Sequence, residues 1–307
     1  MRRVLVTGAS GFIGRNCLRE LARIGFEVHA VAHRRLLDVR RGENWHKADL
    51  LDPIAVHAVM RSVQPTHLLH CAWAVPPGEF WSSPDNRAWA AASVGLVTQF
   101  LQEGGRRVVA AGTCAEYQWN GSRCVEGLTV LRPATLYGVC KDQCRQDIAA
   151  LSVAHNASFA WGRIFFVFGP HEQPERLIPS AIRSLIAGEK FVCRSGAQLR
   201  DYLYVEDVAA ALVALVEHDC QGEFNVASGI DTSLRSVLER IAALVGRPDL
   251  IEFLDTTAES PNVTADATRL KQATGWKPRL DVDEGLVRTT TWWSSAHPLT
   301  AFVPSKI

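Results

Sequence analysis

The chain has 307 residues, 47% hydrophobic and 21% charged, with 33 basic against 32 acidic side chains. A chain of this length can bury about three-quarters of its unfolded surface, so its core needs no disulfide or metal staple, and its apolar fraction excludes intrinsic disorder. A net charge of +1 argues against nucleic acid or an acidic membrane surface as the main partner. The longest apolar run, Val208 to Val216, falls far short of the roughly 18 residues a membrane span needs. Val4 to Val6 is too brief for the core of a signal peptide. The eight cysteines are scattered without a CxxC pair. Cys140 and Cys144 sit four apart with nothing to complete a zinc set, which predicts reduced structural thiols in a cytoplasmic protein.

In chain order, Arg3 to Thr7 predicts a short buried strand, followed at once by Gly8-Ala9-Ser10-Gly11-Phe12-Ile13-Gly14. Helix formers run from Arg15 to Ile24, Gly25 stops them, and Phe26 to Ala32 reads as a second strand. Pro53 stands where the first helical residue belongs, opening a helix over Ile54 to Val63. Strands at His67 to Cys71 and Arg107 to Ala111 flank the apolar, alanine-rich segment Trp89 to Leu101. Tyr137 to Ala154 predicts a long helix, Phe159 to Phe168 one strand, Val205 to Glu217 an amphipathic helix, and Glu223 to Ala227 a short strand. From about Ile230, helical patterns alternate with turns at Pro248, Pro261 and Pro278. This alternation predicts an α/β fold: a doubly wound parallel Rossmann sheet with a smaller α/β lobe. Residues 1–165 and 201–229 are assigned to the dinucleotide-binding domain, and 166–200 with 230–307 to a substrate-binding lobe.

Three glycines at spacing three between a strand and a helix have a physical reading. Gly8 allows the tight turn, Gly11 lets backbone approach a pyrophosphate, and Gly14 lets helix and strand pack closely; Phe12 and Ile13 complete the loop. The free N–H groups of the helix start then face the phosphates. Tyr137 and Lys141, four apart at the start of a helix, share a face. A tyrosine acting as acid or base near neutrality needs a shift of roughly three pH units, or about 4 kcal/mol. A lysine ammonium roughly 4 Å away supplies about that much at an intermediate dielectric. Thr113, just past the strand Arg107 to Ala111, stands at a carboxyl end where such sheets bind ligands, and its hydroxyl can donate to a substrate oxygen. At the end of the second strand, Arg34 and Arg35 stand in place of the acid that would bind a ribose hydroxyl, which favours NADP over NAD. Trp73, Phe80 and Trp81 follow the strand His67 to Cys71 and could stack on a sugar or a base.

The glycine loop, Tyr137-Gly138-Val139-Cys140-Lys141, the stretch from Arg163 to Gly169-Pro170, and Arg200-Asp201-Tyr202-Leu203-Tyr204-Val205-Glu206-Asp207-Val208 resemble the ordered motifs of the extended short-chain dehydrogenase/reductases. The resemblance covers nearly the whole chain and implies a nucleotide-sugar enzyme. It further implies Lys141 on the nicotinamide ribose, Asp49 at the adenine, Arg200 on the substrate diphosphate, and a homodimer through the helices near 89–101 and 141–154; of the aromatic residues, Trp81 is assigned to the substrate on its own chemistry. Two features depart from the pattern. Phe166 replaces the usual Asn before Gly-Pro, and Ala258 to Asn262 lacks the usual Arg. Cys114 and Ala115 stand where sugar dehydratases carry Asp-Glu, and Glu116 comes one residue late, which argues against dehydration. The reading that remains is reduction of a ring ketone on a 4-keto-6-deoxy sugar. The alternatives are an epimerase with tightly bound NAD, and a non-catalytic dinucleotide sensor.

Overall fold

Strands and helices alternate through most of the computed structural model, which describes residues 2–33, 43–254 and 261–296. The first unit comprises β1 (Arg3–Thr7), α1 (Gly14–Arg23), β2 (Glu27–Ala32), β3 (Asn44–Lys47), α2 (Pro53–Val63), β4 (His67–His70), α3 (Asp85–Gln102), β5 (Arg107–Thr113), α4 (Leu136–Ala154) and β6 (Ser158–Ile164). There follow β7 (Phe166–Phe168), α5 (Leu177–Ile186), β8 (Phe191–Cys193), β9 (Leu199–Arg200), β10 (Tyr202–Tyr204), α6 (Val205–Glu217) and β11 (Gly222–Val226). The chain closes with β12 (Thr232–Ser233), α7 (Leu234–Val245), β13 (Ile251–Phe253), α8 (Thr268–Thr274) and α9 (Val282–Ala296).

Seven parallel strands form the main sheet in the order β11-β6-β5-β4-β1-β2-β3. Its inner strands are apolar almost throughout because helices cover both faces. On one face Cys17, Leu18 and Leu21 of α1 pack with Val208, Leu212 and Leu215 of α6. On the other, Met60 of α2, Val97 and Phe100 of α3, and Ile148 of α4 pack over Leu68, Val108 and Trp161. The strand order reverses between β1 and β4. At that switch the helices leave to opposite faces and a crevice opens beyond the strand ends, the usual place for a ligand in such sheets. The smaller lobe builds its own core from α5, α7 and α9 around Ile182, Leu238, Ile241 and Trp293, with three two-stranded sheets, β10-β7, β12-β9 and β13-β8.

The doubly wound sheet matches the sequence expectation, with two differences. The single strand expected over Phe159 to Phe168 is two strands, broken at Phe165. The Phe165 N–H still bonds the Val226 carbonyl of the main sheet, whereas Phe166 N–H turns to Asp201; β7 then pairs with β10 in the other lobe. An apolar run cannot signal this change, because both halves are buried in different cores. The edge strand β3 was not expected either, its alternation being masked by Asn44, His46 and Lys47. All eight cysteines are free. Among the described residues, no helix is long and apolar enough to cross a membrane.

Candidate active site

The glycine loop closes as a cradle. Gly8 adopts φ +65°, and a Cβ there would lie 2.8 Å from the Ala72 nitrogen. Only glycine tolerates that conformation at that approach. Gly11 N–H bonds Gly8 O at 2.9 Å, and a Cβ on Gly14 would collide with the same carbonyl. Asn16 donates to the Phe12 carbonyl at 2.8 Å. Ile13 offers no side-chain cap and the first turn of α1 holds no acid, so the positive dipole end is left for an anion, while Arg15 and Asn16 N–H bond the Gly11 and Ile13 carbonyls. This backbone fits the pyrophosphate of a dinucleotide. Asp49 lies near the end of β2, its carboxylate accepting from Leu51 N–H at 2.9 Å and 3.6 Å from the His33 ring. Arg34 and Arg35 lie outside the described residues.

A residue the sequence did not signal pins the cradle to its neighbours. His70, buried at the end of β4, sits 2.7 Å from Thr7 Oγ1 and 2.8 Å from Ser93 Oγ. Ser93 itself donates to the Trp89 carbonyl. His70 therefore donates through Nε2 to Ser93 and accepts through Nδ1 from Thr7. Burial, with help from the Lys141 charge, lowers its pKa to about 3, so the ring is neutral. It ties β1, β4 and α3 together beside Gly8.

Thr113 is the last residue of β5, and Thr135 caps α4 by accepting from Gly138 N–H. The cap places Tyr137 and Lys141 on the first turns of α4, both buried. The Tyr137 phenol is raised above its ordinary pKa by burial, against a lowering hydrogen bond with the Thr113 side chain. The Lys141 ammonium is pulled down to about 8 by burial, and Nζ donates to the Ala111 carbonyl at 2.8 Å. Thr113, Tyr137 and Lys141 thus converge at the carboxyl end of β5, beside the sheet's switch point.

Glu116 turns the other way. Wholly buried in the 3-10 turn Cys114–Glu116, it accepts from Thr113 N–H at 2.8 Å, Trp161 Nε1 at 2.9 Å and Arg163 Nε at 2.7 Å. Burial opposes the Arg163 charge, but the Glu116 carboxylate more than offsets it and holds Arg163 above its ordinary pKa. Three buried donors are spent on this carboxylate. It is a structural ion pair and no substitute for the missing dehydratase acids.

Residues 4–227 match the NAD dependent epimerase/dehydratase family. The chain belongs to that family. A UDP-glucose 4-epimerase of Mycolicibacterium smegmatis is 26% identical over 317 residues, 95% of this chain and 98% of the relative. The solved structure of MoeE5 in complex with UDP-glucose and NAD is 28% identical with a TM-score of 0.81, covering 96% of this chain and 99% of that one. A dTDP-glucose 4,6-dehydratase from Bacillus anthracis in complex with NAD shares the fold at 19% identity and TM-score 0.82, over 96% of this chain and 97% of that one. The protein is therefore an enzyme of the epimerase/dehydratase family, as the resemblance of its motifs implied, and its family chemistry is NAD-dependent.

In this family member, aromatic rings wall Tyr137. Ring centroids of Phe80, Trp81 and Trp73 lie 5.1, 5.8 and 6.2 Å from Tyr137, each nearly perpendicular to it. Trp119 stands 6.3 Å from Trp81. The indole N–H of Trp73 is given to Asn86 and that of Trp119 to the Cys114 carbonyl, so these two rings offer carbon surface rather than donors. The sequence marked Trp73, Phe80 and Trp81 as possible stacking groups, whereas Trp119 gave no local signal. Arg200 lies apart on β9, largely buried. Its guanidinium donates to the carbonyls of Leu199 and Pro261 and to Gln198 Oε1 at 2.9, 2.8 and 2.7 Å, and lies 5.2 Å from the Phe166 ring centroid. Among the described residues no carboxylate pairs with it. Phe166 packs in turn on the cluster that holds Cys114, next in the chain to Thr113.

Proposed function

We propose that this enzyme oxidises and reduces C4 of a nucleotide-linked sugar, with Tyr137 moving the proton. The observation that carries the reading is the convergence of Thr113, Tyr137 and Lys141 beside the glycine cradle. Bound NAD supplies the acceptor and donor of hydride. Tyr137, as phenolate, takes the proton of the C4 hydroxyl and returns it in the reverse direction. Thr113 steadies the oxygen on which charge gathers. The Thr113 hydrogen bond and the Arg176 charge oppose the burial that raises Tyr137; Lys141, one helical turn on, is the cation suited to favour the phenolate and to hold the nicotinamide ribose. Arg200, a guanidinium without a carboxylate partner among the described residues, suits a diphosphate, and Trp81 offers a face to the sugar ring.

Epimerisation with retained NAD is the fate that the relatives favour, so it now leads over the one-way reduction read from the sequence. A second reading, delivery of hydride to a 4-keto-6-deoxy sugar without inversion, is favoured by the aromatic wall. Inversion requires the sugar to turn over between removal and return of hydride, and rings packed 5.1 to 6.2 Å from Tyr137 would hinder that turn. NAD is the expected cofactor, as in the complexes of relatives. The choice of NADP that Arg34 and Arg35 suggest would show as tighter binding of NADPH than of NADH. A homodimer through α3 and α4 is also part of this reading, consistent with the outward Val139 and Val153 of α4, 48% and 78% exposed. Incubation of the purified protein with UDP-glucose, UDP-glucuronate and dTDP-glucose without added nicotinamide, followed by proton NMR, tests the reading. Appearance of the C4 epimer supports it. Absence of any epimer, together with turnover of a 4-keto sugar nucleotide by added NADH or NADPH, selects the second.

A further inference from the structure

Lys141 is a buried cation without a dedicated counter-ion among the described residues. From β5 it meets only the Ala111 carbonyl. The titratable groups around it are Tyr137 one turn earlier on α4, Glu116 beyond β5, Cys144 on its own helix, and Cys71 and His70 at the end of β4. Glu116 is spent on Arg163 at 2.7 Å, and His70 is neutral. What remains is ring surface. Nζ sits 3.9 Å from the ring centroid of Trp73 and 5.8 Å from that of Trp161. An indole face is the best aromatic partner for a cation, and the attraction grows as water is excluded. Trp73 is itself held: its Nε1 donates to Asn86 Oδ1 at 2.8 Å, and Asn86 in turn donates to the carbonyls of Phe80 and Ser83 at 2.7 and 2.9 Å. The same ring stands edgewise to Tyr137, so one side chain touches both members of the pair.

We propose that Trp73 is a positioning residue for Lys141: clamped by Asn86, its indole face carries the ammonium within the interior and keeps it beside Tyr137. This rests on the reading of Tyr137 and Lys141 as the acid–base pair. Replacing the ring by an aliphatic chain removes the cation's main non-carbonyl support while retaining apolar bulk, so Lys141 should lose its proton at lower pH. A phenyl ring should restore much of the hold.

The chain has only six lysines, which makes the titration of each readable by NMR in protein labelled with carbon-13 lysine. The Lys141 signal is the one lost in Lys141→Met. In Trp73→Leu its midpoint should fall by about one pH unit or more, a roughly tenfold change in the protonation equilibrium, and Trp73→Phe should recover most of it. The alkaline limb of turnover should move the same way. An unmoved or raised midpoint in Trp73→Leu overturns the proposal alone. A lowered midpoint with an unmoved pH–turnover profile overturns the catalytic reading of Lys141, and the positioning role with it. Should Trp73→Leu fail to fold, Asn86→Ser keeps the indole but releases its clamp; its midpoint must fall, or the proposal fails.

Discussion

Glu116→Gln changes one oxygen to an amide nitrogen and should be among the most costly single substitutions in the protein. The carboxylate receives the Arg163 guanidinium, the Trp161 indole N–H and the Thr113 backbone N–H, all buried. An amide can accept some of these donors but points its own N–H groups at the others, and it leaves the Arg163 charge without compensation. Breaking a buried pair in this way costs about 3–5 kcal/mol. At roughly 2–4 °C per kcal/mol for domains somewhat smaller than this one, the melting temperature should drop on the order of 10 °C. Calorimetry of the cofactor-free protein reads this directly. The companion is the double substitution Glu116→Leu with Arg163→Met, which removes both charges. Apolar replacement of a whole buried pair is often neutral, so most of the lost stability should return. Turnover should not return with it, because the Thr113 N–H still lacks its acceptor and the hydroxyl at the site loses its fixed orientation. A Glu116→Gln protein within about 1 kcal/mol of the parent, less than one ordinary buried hydrogen bond in its upper range, would show that the pair does not hold the end of β5.

Three further outcomes are expected. Tyr137→Phe should lower turnover by about 10² or more, the usual weight of general acid–base catalysis, while NAD affinity measured by calorimetry stays unchanged; equal turnover would remove Tyr137 from the chemistry. Arg200→Ala should weaken a nucleoside diphosphate by about 1.5–3 kcal/mol in titrations of the NAD-saturated protein, and equal affinity would mark Arg200 as purely structural. His70 is held neutral from its ordinary 6.5 down to about 3, whereas the unfolded chain protonates it below about 6.5. The stability this contributes is complete above the unfolded value and is lost as pH falls from 6.5 towards 3, with an upper bound of about 5 kcal/mol. His70→Gln should flatten that acid dependence in urea-unfolding curves, and an unchanged slope would refute the neutral assignment.

The glycine loop, the Tyr137–Lys141 spacing and the Thr113 position were legible in the sequence because each is a local rule. A turn that only glycine can make, a helical repeat of four and the carboxyl end of a strand all leave their mark within a few residues. Arg163 and Glu116 were not legible as a pair, since 47 residues separate them and only the pairing of β5 with β6 brings them together. The break at Phe165 escaped for a related reason. Burial in the main sheet and burial in the second lobe look alike in a run of apolar residues, and only the partner strand tells them apart. Arg200 was legible as a residue but not in its surroundings, where carbonyls supplied by Leu199 and Pro261 occupy part of the guanidinium.

The aromatic wall around Tyr137 also has an optical consequence. Trp73, Trp81 and Trp119, three of nine tryptophans, stand around Tyr137, where the proposed reaction brings sugar and nicotinamide together. Reduced nicotinamide absorbs where indoles emit, so the site carries its own donor for energy transfer to the cofactor. Changes in oxidation state during a single turnover should therefore be visible as a dip and recovery in protein emission, without any attached dye. An epimerising enzyme would give a transient signal that returns to its starting level, and a reductase one that ends at a new plateau.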